Sequence, residues 1–223
     1  MLQDKIHKLK KLLIEESLLI EKMLDFCFKG YIEKKPENLE QIPALESLVN
    51  QLDNNIDETC MNLLALHNPE CRNLRTILAI MKSNIDLERM GDLAVNIGKS
   101  YKFLLQRPYS KPVVELAKLA RDSKKMLQSA MSAFIYENID LSRAVCADDD
   151  FIDELHDKIF ENLIRSMSIS VEAALHINRI SKNYERIADL STNIAQNTIY
   201  ICQGRIEKHV PKLTKVQNIG DAI

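Results

Sequence analysis

The sequence predicts an all-α fold of two tandem three-helix bundles, six long helices in total, that are copies of one unit. Apolar residues recur with the 3.6-residue period of an α-helix along most of the 223 residues. Glycine occurs only five times and proline six times, too few to form the turns of a many-stranded β fold. A segment near the end of the first half returns near the end of the second, which indicates two copies of one helical unit.

The repeated segment carries a fixed set of polar residues. Its first copy, residues 86–97, reads DLERMGDLAVNI, and its second copy, residues 183–194, reads NYERIADLSTNI. Glu, Arg, Asp, Asn and Ile therefore return at identical spacing. An Asp-x-x-x-Asp pair also lies upstream of each copy, at almost the same separation, which favours duplication over coincidence. These pairs are Asp53 with Asp57 and Asp149 with Asp153.

The first half is predicted to contain helices at residues 4–29, 38–67 and 70–105. Gly30 and the proline-containing stretch 36–43 separate the first two helices, because proline lacks a backbone N–H and restricts the residue before it. A His-Asn-Pro sequence separates the second helix from the third for the same reason. The stretch 36–43 also contains an insertion without a counterpart in the second half, which indicates a longer connection there.

The second half is predicted to contain helices at residues 112–138, 140–167 and 171–203. Residues 107–112 form the predicted linker between the halves, because two prolines so close together interrupt a helix. Ser170 is the predicted N-cap of the last helix. We therefore expect a first bundle at residues 1–106, a second bundle at residues 113–208 and a C-terminal tail at residues 209–223.

The composition argues against two classes of protein: nucleic-acid-binding proteins and membrane-spanning proteins. A net charge of −2, without a Lys/Arg face that includes stacking aromatic residues, argues against a nucleic-acid-binding protein. The most apolar early stretch, residues 12–20, contains Glu15 and Glu16 and is too short to span a bilayer. No signal peptide is recognisable at the N-terminus. We therefore expect a cytoplasmic protein without direct membrane insertion.

The cysteines lead to the same expectation. They are odd in number, widely spaced and without a C-x-x-C pair, which predicts buried free thiols in a reducing compartment. The five residues are Cys27, Cys60, Cys71, Cys146 and Cys202.

Helical periodicity predicts which positions face the core, because residues three and four apart share one face of a helix. In the third helix these positions are Leu87, Met90, Ala94, Ile97, Tyr101 and Leu104. In the last helix they are Tyr184, Ile187, Ser191, Ile194, Thr198 and Ile201. In the second helix they are Leu45, Leu48, Leu52, Ile56 and Leu63.

The repeated acids lie on nearly the opposite side of the third and last helices, so we expect them to face outward. The Asp-x-x-x-Asp pairs flank the core positions of the second and fifth helices, and a neighbouring helix would bring the two sets together. Four carboxylates at one place repel each other and need cations or protons to coexist. The predicted metal ligands are Asp53, Asp57, Glu88, Asp92 and Asn96 in the first bundle and Asp149, Asp153, Glu185, Asp189 and Asn193 in the second.

The type of ligand restricts the metal. Carboxylate and amide oxygens suit divalent or trivalent ions such as iron, manganese or magnesium better than zinc.

The residues alone leave three interpretations of the acids open: a cation site on a binding protein, a carboxylate-bridged metalloenzyme acting on phosphate esters, and a purely structural bundle. A like-charge pair one turn apart costs only about 0.2–0.5 kcal/mol on a helix surface, so an isolated pair indicates nothing more than solvated surface. Repetition of two pairs in register favours a site.

Evidence for catalysis is weak. The sequence contains no G-x-x-x-x-G-K-[ST], G-x-S-x-G or H-E-x-x-H motif. His156 lies one turn after Asp153, where a histidine at the core boundary is a simpler interpretation than a metal ligand. We therefore expect a protein that is not an enzyme.

The residues resemble the PhoU family of phosphate-transport regulatory proteins. The resemblance rests on the segment Glu88–Ile97, its second copy Glu185–Ile194, the two Asp-x-x-x-Asp pairs and the ending Tyr200–Gly204, and it extends over about residues 5–208. The sequence departs from the family pattern where Ala188 replaces the glycine of the first copy and at the proline-containing insertion in 36–43.

Several properties are implied by this resemblance rather than by the residue pattern. It implies two three-helix bundles related by internal pseudo-two-fold symmetry, with a multinuclear metal cluster bound on each through the acidic pairs. It implies a cytoplasmic negative regulator of phosphate uptake and phosphate-starvation signalling, without catalytic activity. The implied partners are the ATPase subunit of a phosphate ABC transporter, a sensor histidine kinase of a two-component system, and a second copy of the chain in a homodimer.

Overall fold

Six α-helices form the protein in a computed structural model that describes residues 2–107, 113–166 and 169–205. The helices are α1 (Leu2–Tyr31), α2 (Ile42–His67), α3 (Cys71–Leu105), α4 (Val114–Tyr136), α5 (Ile139–Arg165) and α6 (Val171–Gln203), with a short 3₁₀ helix at Pro36–Asn38. The described residues contain no strand, and the predicted all-α class is confirmed. Within the same residues, no helix is long and apolar enough to cross a membrane.

The predicted helix boundaries agree within a few residues except at the start of α2. This helix begins at Ile42 rather than at residue 38, because Pro36 starts the separate 3₁₀ turn. Pro43 occupies the second position of α2, where its missing N–H costs nothing since the first N–H groups of a helix have no partner within it. The prolines of the predicted linker and the predicted tail 209–223 lie outside the described residues.

Local interactions fix both ends of α6. The Ser170 hydroxyl accepts a hydrogen bond from the Ala173 N–H at 3.2 Å, which confirms the predicted N-cap. Gly204 ends the helix in the left-handed region with φ of 70°, and its N–H donates to the Tyr200 carbonyl at 2.9 Å. These ends determine the register in which α6 presents its acidic residues.

The helices pack as two bundles that share a core. Helices α1–α3 contact one another, as do α4–α6, and α3 also packs along α6 while α1 contacts α4. The predicted core positions of α3 are at most 2% exposed, and those of α6 are 0% exposed. The α2 prediction is wrong at Leu48, which is 45% exposed, whereas Val49 is 1% exposed. Val49 is the residue that faces α3, where Gly91 leaves room: a Cβ added there would lie 3.4 Å from Val49 Cγ1.

Buried aromatic rings join the bundles at their centre. Tyr31 of α1 and Tyr101 of α3 stack with ring centroids 4.4 Å apart. Tyr184 of α6 is fully buried, and burial followed by the interaction with Tyr101 raises the pKa of its hydroxyl. The three rings thus connect helices from both halves, so the halves are not separate hydrophobic units.

The prediction that the cysteines are buried free thiols is confirmed only in part. All five cysteines are free, and Cys27 and Cys60 are buried. Cys71, at the first position of α3, is exposed, so the prediction of a buried thiol is wrong there.

Glu137 connects the two halves through charge. It ends α4 in the left-handed region and binds two cationic residues of the first half. Its carboxylate accepts a hydrogen bond from Lys10 Nζ at 2.9 Å and another from the Arg72 guanidinium. Burial raises the pKa of Glu137, but Lys10 and Arg72 outweigh burial, and the net pKa lies below the ordinary value of 4.5.

We expect Glu137→Gln to lower the free energy of unfolding by about 1–2 kcal/mol at pH 7, since it removes the charge from two hydrogen bonds. A carboxyl group whose pKa is lowered by folding stabilises the fold above its unfolded pKa and loses that effect as pH falls through the folded pKa. The difference between the variant and the wild type should therefore shrink below pH 4.5. Urea denaturation at pH 7 and pH 3 measures it.

A matched control is Glu161→Gln. Glu161 pairs with Arg165 on the same helix, and both side chains are more than 60% exposed, at 63% and 77%. Exposed pairs of this kind contribute about 0–0.5 kcal/mol, so little change is expected at either pH. An equal loss for Glu137→Gln at pH 3 and pH 7 would contradict the charge-based account.

Candidate metal sites

In the second bundle, helices α5 and α6 bring three of the predicted ligands together. Asp153, Glu185 and Asp189 each offer a carboxylate oxygen within 4.8 Å of the other two. Oxygen ligands lie about 2.0–2.6 Å from magnesium or calcium, so oxygens at this spacing can contact one ion. Among the described residues, this is the single group of three potential ligands at such close spacing. Asp149 lies one turn before Asp153 and is half-buried.

Burial of these acids differs from the outward orientation predicted by periodicity. Asp189 is exposed, but Glu185 is only 8% exposed. The reason is that α6 packs against α3, α4 and α5, which leaves little of its circumference open. The outward prediction is therefore wrong for Glu185.

The electrostatics of the second bundle show carboxylates that repel each other. Burial, followed by the charges of Glu185 and Asp153, raises the pKa of Asp189, while Lys182 and Arg186 oppose the rise. Lys182 Nζ donates to Glu185 Oε1 at 2.7 Å. The other oxygen, Glu185 Oε2, is buried without a hydrogen-bond partner among the described residues. A cation would both relieve the repulsion and satisfy this oxygen.

In the first bundle, α2 and α3 bring the equivalent acids into electrostatic contact. Burial, followed by the charges of Asp92 and Asp53, raises the pKa of Glu88, and Arg89 opposes the rise. Burial, followed by the charge of Asp57, raises the pKa of Asp53. The four predicted carboxylates of this bundle are thus linked by electrostatic repulsion: Asp57 acts on Asp53, and Asp53 and Asp92 act on Glu88.

One contact fixes the orientation of Asp53. Asn84 Nδ2 donates to Asp53 Oδ1 at 2.6 Å and to the Asp53 carbonyl oxygen at 3.2 Å. This bond ties α3 to α2 beside the acids and opposes the rise in the pKa of Asp53. Asn84 therefore orients a predicted ligand, a role that the spacing pattern did not indicate.

The two predicted amide ligands lie on the solvent-exposed surface of α3 and α6. Asn96 and Asn193 are exposed, one turn after Asp92 and Asp189. Their role as ligands stays a prediction. His156 Nδ1 lies 2.7 Å from the Ser181 hydroxyl, which agrees with a histidine at the core boundary.

Sequence reasoning missed a fifth acid in the first bundle. Glu16 of α1 is 0% exposed, and neither carboxylate oxygen has a hydrogen-bond partner within the described part of the chain. Burial, followed by the charges of Asp53 and Glu88, raises its pKa to about 9. The available signal was a glutamate at a core position of an amphipathic helix, between Leu13 and Ile20.

The donor set fits a metal of the predicted kind. Every candidate ligand offers oxygen. Carboxylate oxygens of Glu16 and Glu185 are buried without a hydrogen-bond partner among the described residues, and neighbouring carboxylates raise each other's pKa. Hard cations such as magnesium, manganese or iron favour such oxygen ligands.

Comparison with known proteins adds evidence over nearly the whole chain. A family model described as the PhoU domain matches residues 13–100 and, a second time, residues 116–198. The phosphate-specific transport system accessory protein PhoU homolog 2 of Thermotoga maritima is 30% identical over 211 residues, covering 93% of this chain and 90% of that protein.

Two solved structures are similar to this chain in fold. The crystal structure of PhoU from Pseudomonas aeruginosa is similar with a TM-score of 0.88 and 28% identity, over 92% of this chain and 100% of that chain. The phosphate transport system regulatory protein PhoU from Streptococcus pneumoniae gives a TM-score of 0.87 and 25% identity, over 94% of this chain and 100% of that chain. Since the two domain matches together cover more than half of the residues, the chain belongs to the PhoU family.

Proposed function

We propose that this protein is a negative regulator of phosphate uptake and phosphate-starvation signalling that acts in the cytoplasm as an adaptor rather than an enzyme. The observation that carries the proposal is the double match to the PhoU domain, one match on each bundle. Relatives aligned over most of the chain are named as accessory or regulatory proteins of phosphate transport.

The proposed partners are the ATPase subunit of a phosphate ABC transporter and a sensor histidine kinase, with a second copy of the chain forming a homodimer. An adaptor needs more than one surface, and the duplicated fold supplies two related three-helix bundles joined at α3 and α6. Contact with the membrane would then be indirect, through the transporter and the kinase.

Metal binding is the second part of the proposal. Asp53, Asp57, Glu88 and Asp92 would bind ions on the first bundle, and their four counterparts would do so on the second. Bound ions would neutralise the repulsion among the carboxylates and fix α2 against α3 and α5 against α6. Two observations support metal binding: the close spacing of Asp153, Glu185 and Asp189, and the buried oxygens of Glu16 and Glu185 that have no hydrogen-bond partner in the described part of the chain.

Deletion of this protein from its source organism should derepress phosphate-starvation genes in phosphate-rich medium. The reason is that a negative regulator normally keeps the sensor kinase inactive when phosphate is plentiful. Transcript levels with and without a plasmid copy of the wild-type gene measure the effect. Affinity purification of the tagged protein should recover the transporter ATPase. Unchanged transcripts together with no ATPase recovered would contradict the proposed function.

A further inference from the structure

Glu16 is an acidic residue at a core position of the first bundle. Its side chain is completely buried, and both carboxylate oxygens lack a hydrogen-bond partner among the described residues. Buried polar groups are nearly always satisfied by protein, water or an ion, because an unsatisfied group loses its hydration without compensation. A carboxylate with two unsatisfied oxygens therefore requires an explanation.

The surroundings of Glu16 are acidic. The charged groups that act on it are Asp53 of α2 and Glu88 of α3, both predicted metal ligands. Carboxyl groups from three different helices thus act on one another through their charges. A cation bound among them would supply the partner that Glu16 does not have within the described residues.

Alignment of α1 with α4 shows that this acid is absent from the second bundle. The helix ends correspond, since Gly30-Tyr31 of α1 matches Ala133-Phe134 of α4, and all four residues are buried. In the same register, the buried positions Leu13 and Glu16 match Leu116 and Leu119. Leu119 is 0% exposed, so the equivalent position of the second bundle is ordinary apolar core.

A second difference between the bundles also makes the first site more negatively charged than the second. Lys182 donates to Glu185 in the second bundle, and its ammonium neutralises part of the charge of that site. The corresponding residue before Glu88 is Ile85, which is 46% exposed and uncharged. Glu16 thus adds a carboxyl group to the first site, and Ile85 supplies no ammonium in place of Lys182.

We infer that Glu16 is an additional metal ligand of the first bundle only, and that the first bundle therefore binds metal more tightly than the second. The inference rests on the metal binding proposed above. With Glu16 as a ligand of one site only, the two halves of a duplicated protein would differ in how they bind metal. Over a range of metal concentrations the first site would be occupied while the second was still empty.

Titration of the full-length, metal-stripped protein with Mn²⁺ by isothermal calorimetry tests this inference. The wild type should show a tighter and a weaker class of site. Glu16→Leu, which copies the residue of the second bundle, should weaken the tighter class by about tenfold or more and leave the weaker class unchanged. Glu16→Gln, which keeps the shape and removes the charge, should have the same effect. Glu15→Leu, an identical change at the exposed neighbour on α1, is the matched control and should bind as the wild type does.

Two backgrounds assign the classes to the bundles. With the second site impaired by Asp189→Ala, Glu16→Leu should still lose affinity. With the first site impaired by Asp92→Ala, Glu16→Leu should have no further effect. Wild-type binding by both Glu16 variants would overturn this inference and leave the proposed metal sites intact. A wild type that binds no Mn²⁺ would overturn the metal sites as well, so the two failures are distinguishable.

Discussion

Replacing Asp92 and Asp189 with alanine in one protein is expected to remove most of the bound divalent metal and to leave the helix content largely unchanged. Both side chains are exposed, so they contribute little to the core. Each lies among carboxylates of its own bundle, and its removal takes away a ligand as well as a repulsive charge. Elemental analysis of the purified protein measures the metal, and far-UV circular dichroism measures the helices.

Thermal unfolding gives an independent measurement of the same loss. An ion that binds only the folded state stabilises it by mass action, by about 2.7 kcal/mol at a concentration one hundred times its dissociation constant. Added Mn²⁺ should therefore raise the melting temperature of the wild type and not that of the double variant. Glu58→Ala with Glu154→Ala is the control, because these exposed acids follow Asp57 and Asp153 directly on α2 and α5. Full metal content in the Asp92/Asp189 variant would refute the ligand assignment.

Truncation of Tyr184 to alanine should destabilise the protein by about 3–5 kcal/mol, the cost of replacing a large buried aromatic ring. The ring is 0% exposed and interacts with Tyr101 of the first half, so its removal leaves a cavity where the two bundles join. Urea denaturation followed by circular dichroism measures the loss. Tyr136→Ala is the same substitution at a residue that is 78% exposed, and it should change stability by no more than about 0.5 kcal/mol.

Unfolding of the Tyr184→Ala and Tyr136→Ala variants also tests whether the two halves unfold together. Helices α3 and α6 pack along one another, and the tyrosine rings link them to α1. One cooperative transition with a lower midpoint is therefore expected for Tyr184→Ala. Two separate transitions, or a midpoint equal to that of Tyr136→Ala, would contradict a shared core.

The sequence by itself determined the features that depend on residues close together along the chain. The core positions of α3 and α6 follow the 3.6-residue period, and all twelve predicted residues are buried. The N-cap at Ser170 needs only its own side chain and the first turn of the helix. Repetition of the segment at 86–97 was sufficient to predict two copies of one unit, and the double match to the PhoU domain agrees with it.

The tertiary structure decided which helix faces meet, because periodicity groups residues on a face without identifying the neighbour of that face. Glu185 is buried since α6 contacts three other helices, and Val49 rather than Leu48 points at α3 where Gly91 leaves space. Glu16 lies in α1, far along the chain from Asp53 and Glu88, and only the packing of three helices brings their charges into interaction. Burial and charge at a site depend on such distant contacts, and no local pattern of residues encodes them.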